Sequence, residues 1–188
     1  MDFSFLEGSA SEVAPLLLGC MLERQLDGQI VRVRIVETES YDQTDAASHS
    51  YKGKTPRTDV MFGPAGHLYV YFTYGMHYCC NVTVGSEGIG AAVLIRAVEP
   101  LKGEDLLSVY RSGKQGVEIS NGPAKLCKAL AINKAMNGHN LRQAPLKLVS
   151  QPPLLEDQLI TTTRIGVSQA KDKPWRFYIK DNPYVSRC

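Results

Sequence analysis

The sequence predicts an α+β fold: one compact domain, 1–188, around a curved antiparallel or mixed sheet with a protruding β-hairpin and flanking helices. Three observations carry this. Segments of period-2 alternation follow one another in hairpin-like succession, separated by turn residues. Two stretches, 11–20 and 121–132, show the three-to-four spacing of short amphipathic helices. A chain of 188 residues, 44% apolar and 21% charged, has the length and composition of a single globular domain able to bury its own core.

Taken in order, Ser11–Cys20 reads as a helix, with Val13, Leu16, Leu17 and Cys20 on one stripe, Ser11 as its cap and Pro15 in or near the first turn. Asp27-Gly28 is a hairpin signal, and Ile30–Glu39 is the strand that follows. Ser40–Thr58 is a long polar loop, of the kind that is functional or mobile. After a turn at 63–66, Leu68–Thr73 alternates, placing Tyr69, Tyr71 and Thr73 on one face and Leu68, Val70 and Phe72 on the other. Tyr74-Gly75 marks a hairpin tip and Tyr78–Val84 the return strand. Ala91–Val98, apolar but for Arg96, reads as a central strand. Asn121-Gly122-Pro123 opens a helix to Ile132. Signals from 133 to 158 are weak, and Thr161–Val167 and Arg176–Ile179 read as late strands.

The net charge of +2 is not the signature of a strongly basic nucleic-acid binder. Its distribution is more informative: Lys52, Lys54 and Arg57 lie in a stretch without an acid, and 171–187 holds Lys171, Lys173, Arg176, Lys180 and Arg187 against two aspartates. The five cysteines are odd in number and form no CxxC pair, which points to reduced buried thiols and not to disulfides or a zinc site. No apolar run is long enough to span a membrane, and the N-terminus lacks the features of a signal peptide. A soluble cytoplasmic protein is expected.

Four segments could carry chemistry. In Val36-Glu37-Thr38-Glu39-Ser40-Tyr41 a strand ends in two carboxylates of one parity, either a general base at a loop edge or two solvated glutamates. Residues 47–57 hold His49 with Lys52, Lys54 and Arg57, either a phosphate-contacting loop or an ordinary polar one. Residues 68–78 contain four of the nine tyrosines, either sheet-face residues or a base-stacking platform. There Tyr74-Gly75-Met76 could present a wedge to a duplex. Arg96 in its apolar strand requires a partner, Glu99 or Glu37, or else orients a catalytic carboxylate or a phosphate.

Together these segments resemble the alkyladenine (3-methyladenine) DNA glycosylase family, in its mammalian-type form, as a bacterial member. The resemblance is carried by RIVETESY (34–41), ASH (47–49), GKTPR (53–57), MFGPAGHLYVYFTYGMHYCCN (61–81), VLIRAVEP (93–100), NGPAKLCKALAIN (121–133) and PWRFYI (174–179), and spans about Ala14 to Val185. It implies a monofunctional enzyme of base excision repair. Such enzymes flip a damaged purine out of duplex DNA and hydrolyse its N-glycosidic bond, leaving an abasic site without metal or cofactor. 3-Methyladenine is the implied substrate, with 7-methylguanine, hypoxanthine and ethenoadenine as further candidates.

Carried over residue by residue, the resemblance implies that Glu39 activates the attacking water and Arg96 supports it. Tyr41, His49 and Tyr71 would hold the flipped base, Asn81 would lie beneath it, and Tyr74, with Met76 beside it, would fill the gap left in the duplex. Lys52, Lys54 and Arg57 would meet the DNA backbone. Ser40 and His77 depart from the family pattern, where alanine and tyrosine stand, and the basic N-terminal extension of mammalian members is absent. A cage of tyrosines would favour cationic alkylpurines through cation–π attraction, and the carboxylate would both accept a proton and stabilise an oxocarbenium-like sugar. The implied partner is double-stranded DNA, bound by a monomer with no membrane association. A non-catalytic damaged-DNA or RNA-binding module is the alternative, and a small-molecule hydrolase using Glu39 and His49 a third reading.

Overall fold

Asp27 and Gly28 both take positive φ, 47° and 75°, so they close a two-residue turn of the primed type, in which Leu26 pairs directly with Gln29. That turn joins β1 (Met21–Leu26) to β2 (Gln29–Tyr41), the long central strand. The computed structural model describes residues 3–73 and 75–186. The other strands are β3 (Leu68–Thr73), β4 (His77–Thr83), β5 (Ala92–Lys102), β6 (Leu146–Val149), β7 (Leu159–Thr162) and β8 (Arg176–Ile179). They form one eight-stranded curled sheet of order β3-β4-β5-β2-β1-β6, with β8 also on β2 and β7 on β8. Every pairing described is antiparallel.

The apolar face of β2, with Val31, Val33 and Ile35, joins Leu68 and Val70 of β3 and Val93 and Ile95 of β5 in the main core. Helices α1 (Ala10–Leu16) and α3 (Pro123–Ala129) cover it with Val13, Ala14, Leu126 and Cys127. The alternation of β3 is used on both faces: Tyr69 turns to a second, smaller cluster with Met61, Phe62 and Ala92, against which Tyr71 packs. That second face carries the candidate site. The buried cysteines 20, 79, 80 and 127 are free thiols.

The structure corrects several local expectations. The first helix is capped by Ser9, not Ser11: the Ser9 N–H and Oγ both donate to Glu12 Oε2, at 2.9 and 2.7 Å. Pro15 sits in its last turn instead of its first, and the helix ends at Leu16 instead of Cys20. β5 runs on through Pro100, which is tolerated because the ladder slips beside it, between Arg32 and Val33. A helix after it, α2 (Glu104–Tyr110), and strand β6 escaped the sequence reading because each is one or two turns or pairs long. The predicted strand Thr161–Val167 is strand only to Thr162, and 163–167 leaves the sheet to approach the site.

The polar segment after β2 is not loose. Asp42 accepts from the Ala10 N–H at 3.0 Å, and Ser50 Oγ donates to the Gly90 carbonyl at 2.6 Å. Gly90 must be glycine, since a Cβ there would stand 2.6 Å from both the Phe62 ring and Ser50 Cβ. Among the described residues no helix is long and apolar enough to cross a membrane.

Candidate active site

Two irregularities in the β2–β5 ladder build the charged part of the site. Ile35 pairs with Val98 and Glu37 with Ala97, so Val36 is skipped; Thr38 then pairs with Ile95, so Arg96 is skipped. Such compensating bulges re-aim side chains without ending the pairing. Arg96, mostly buried, thereby meets both carboxylates: Nη1 donates to Glu39 Oε2 at 3.2 Å and Nε to Glu37 Oε1 at 3.3 Å. Glu99, the nearer candidate in sequence, is across the ladder from Arg34 and pairs with it instead. Burial alone would lower the Arg96 pKa, but Glu39 and Glu37 outweigh it and hold the guanidinium above its ordinary value.

The two glutamates, both fully buried, have different surroundings. Glu37 is held by structure on both oxygens: Arg176 Nε at 2.6 Å, the Ser186 N–H at 2.7 Å and Ser186 Oγ at 2.9 Å all donate to it besides Arg96. Glu39 lies behind the cavity wall, joined to the lining residue Tyr41. Its Oε2 accepts from Tyr41 OH at 2.8 Å as well as from Arg96, while its Oε1 accepts the Ile165 N–H at 2.8 Å. A carboxylate oxygen has two acceptor positions, so Oε1 keeps one for a further donor. Arg176, which the sequence placed among the basic residues of the tail, is a buried partner of Glu37, drawn in by the pairing of Glu39 with Arg176 across β2 and β8.

Beside Glu39 opens a cavity of about 410 Å³. Its walls are the tyrosine face of β3 (Tyr69, Tyr71, Thr73), Asn81 of β4, Tyr41, the loop 46–49 and residues 166–168. Asn81 Nδ2 donates to the Tyr69 carbonyl at 3.1 Å, which fixes the amide's orientation. His49 stands edge-on to Tyr71, ring centroids 4.5 Å apart, and Tyr69 stacks beside Tyr71 at 5.7 Å. His49 Nε2 lies 3.3 Å from Arg57 Nη2 and Nδ1 lies 3.0 Å from Tyr69 OH. A guanidinium only donates, so Nε2 is the acceptor and the ring proton sits on Nδ1. Burial first and Arg57 second push the His49 pKa down to about 4, so the ring is neutral at physiological pH. Burial, and Glu39 after it, drive the Tyr41 pKa well above its usual value, and burial does the same for Tyr71, so both remain phenols.

A second buried pair, absent from the sequence reading, ties the cavity walls together. Arg164 forms an ion pair with Asp45, both side chains fully buried, and donates to the Ser40 carbonyl at 2.9 Å. Its guanidinium carbon lies 4.7 Å from the Tyr41 ring centroid and 5.0 Å from that of Trp175. One residue later Ile165 holds Glu39. Arg164 thus joins the end of β2, the loop of His49 and the 164–168 segment. Its only sequence signal was a lone arginine inside the segment 161–167 read as a strand.

The remaining candidates lie at the rim. Met76 is 70% and Phe72 49% exposed at the end of the β3–β4 hairpin, whereas Tyr74 lies outside the described residues. Lys52 is exposed, Lys54 pairs with Asp59 at 2.8 Å, and Arg57, itself exposed, reaches across to His49. Among the described residues no group of three or more His, Cys, Asp or Glu side chains is arranged to hold a metal ion.

Comparison with known proteins follows the same contour. Residues 4–183 match the profile of the methylpurine-DNA glycosylase family. A protein of Carboxydothermus hydrogenoformans, named "Putative 3-methyladenine DNA glycosylase", is 51% identical over 176 residues, 93% of this chain and 92% of its own. Proteins of the same name from Methanoculleus marisnigri and Francisella tularensis are 46% and 45% identical, covering 98% and 94% of this chain and 97% and 93% of theirs.

Proposed function

The chain belongs to the methylpurine-DNA glycosylase family and is a DNA glycosylase, a hydrolase of the N-glycosidic bond; from that premise we propose that it removes alkylated and otherwise damaged purines that it flips from duplex DNA into the aromatic cavity. One observation carries the reading: Glu39, fully buried, is fixed by Tyr41, Arg96 and the Ile165 N–H immediately behind the cavity wall, with an acceptor position left on Oε1.

In this reading Tyr41, His49 and Tyr71 hold the base between π-faces, and the Asn81 amide reads its edge. Water bound at Glu39 Oε1 attacks the anomeric carbon C1′. Its oxygen bonds to C1′, its proton passes to Glu39, and the electron pair of the broken C1′–N bond leaves with the purine. Negative charge at Glu39 stabilises the oxocarbenium character of the sugar, in the manner of glycoside hydrolysis. Arg96, paired at once to Glu37 and Glu39, fixes the carboxylate. The hairpin end, with Met76 exposed, would enter the space that the base vacates, offsetting part of the few kcal/mol that flipping costs.

Glu39→Gln keeps the shape and removes the base. Single-turnover release of 3-methyladenine from methylated duplex should fall by about 10²–10⁴, while binding to the same duplex survives. Release at the wild-type rate would overturn the assignment of Glu39. Binding by the wild type with no release of any modified purine would instead favour a non-catalytic binding module.

A further inference from the structure

The charges around the cavity do not balance evenly. Glu37, Glu39 and Asp45 are buried and are ion-paired with Arg96, Arg176 and Arg164, which are buried as well. Those three acids and three arginines cancel. Among the described residues Arg57 is the surplus: its partners at the cavity wall are His49, at 3.3 Å, and the Tyr71 ring, 5.7 Å from guanidinium carbon to centroid. Neither is charged. Its neighbour Lys54 is turned to Asp59. The aromatic faces are also partly used. Arg57 lies over Tyr71, and Arg164 lies over Tyr41 at 4.7 Å. A cation entering between these rings meets quadrupoles already engaged by guanidinium groups.

We propose that Arg57 sets the lesion-charge preference of this site, favouring neutral modified purines over cationic N-alkylated ones; the proposal rests on the glycosylase reading. The bond electron pair leaves with the base in both cases. A cationic lesion therefore departs as a neutral base, its ring charge falling from +1 toward 0, and the proton left on Glu39 passes to solvent. A neutral lesion goes from 0 toward −1, and its anion recovers the proton that Glu39 took from water. Until that proton is recovered the two differ by one unit of charge. Arg57 repels the first kind and attracts the incipient charge of the second. Since Arg57 is exposed, solvent screens the effect, and the discrimination should be roughly three- to tenfold at low salt.

The test uses two duplexes, one with a single 7-methylguanine and one with a single hypoxanthine. In Arg57→Gln the ratio of kcat/KM for the cationic over the neutral lesion should rise roughly three- to tenfold. Arg57→Lys, which keeps the charge, should hold it near wild type, and added salt should shrink the difference. Excision of both lesions falling equally, with the ratio unchanged, would make Arg57 a phosphate contact and overturn the proposal. The same ratio is read from duplex affinity in Glu39→Gln and Glu39→Gln/Arg57→Gln proteins. A shifted binding ratio without any excision by the wild type would uphold Arg57's role and overturn the reading it rests on.

Discussion

The inner wall and the outer rim of the cavity are built on opposite principles. Inside, Glu37, Glu39 and Asp45 are buried, and each is held by a guanidinium. At the rim, Met76 and Phe72 stand in solvent, and the Lys54–Asp59 pair is exposed on both sides. Buried ion pairs seldom stabilise a fold, because desolvation offsets much of their attraction. What they supply here is position, since a carboxylate with three fixed donors cannot wander. An exposed ion pair such as the one at the rim adds little stability. The contrast separates where chemistry needs geometry from where binding needs accommodation.

The contrast can be broken from the inside first. Glu37→Ala leaves Arg96 and Arg176 buried without their shared acid, and should cost about 3–5 kcal/mol of stability in denaturant unfolding. A loss under 1 kcal/mol would show that these arginines relax to solvent and that the inner wall is not rigid. Tyr41→Phe removes one donor to Glu39 and little else. A hydrogen bond to a charged group is worth about 1.5–3 kcal/mol, so Tm should fall by several degrees, and if the bond is kept through the transition state kcat should fall roughly ten- to hundredfold; an unchanged kcat would remove Tyr41 from the positioning of Glu39.

His49 tests the boundary between the two regions. In the unfolded chain it binds a proton near 6.5, but in the fold not until about 4. The unfolded state therefore holds more protons across that window, and this contribution to stability is present above about 6.5 and is lost as pH falls toward 4. Partial exposure of His49 makes the effect smaller than the shift alone implies. His49→Gln should flatten the pH dependence of the unfolding midpoint in that range, and equal slopes in both proteins would contradict a neutral His49. The smallest stability change belongs to the rim: Met76→Ala should stay within about 0.5 kcal/mol of wild type, while affinity for lesion-bearing duplex drops severalfold. An equal affinity would remove Met76 from the DNA contact.

Much of this was legible because alternation is local. The bounds of β3 and β8, the Asp27-Gly28 turn and the tyrosine face opposite Leu68 and Val70 follow from period 2 and from turn chemistry. Shared parity likewise placed Glu37 and Glu39 on one side, and both meet Arg96. Parity says which face a charge takes but not which partner it finds. Arg164 and Asp45 are 119 residues apart, and Glu37 and Ser186 are 149 apart. No local pattern encodes either meeting.

The sequence by itself therefore determined the bounds of β3 and β8, the faces their side chains share and the family resemblance. The tertiary structure decided the roles within it: Glu37 as anchor, Arg176 as a buried partner instead of a surface cation, Arg164 as the tie between walls, and Arg57 reaching across to His49. The physical reason is that a buried charge must be paired, and its partner is chosen by ladder slips and by the return of distant segments to one sheet. Neither is fixed until the whole chain has folded.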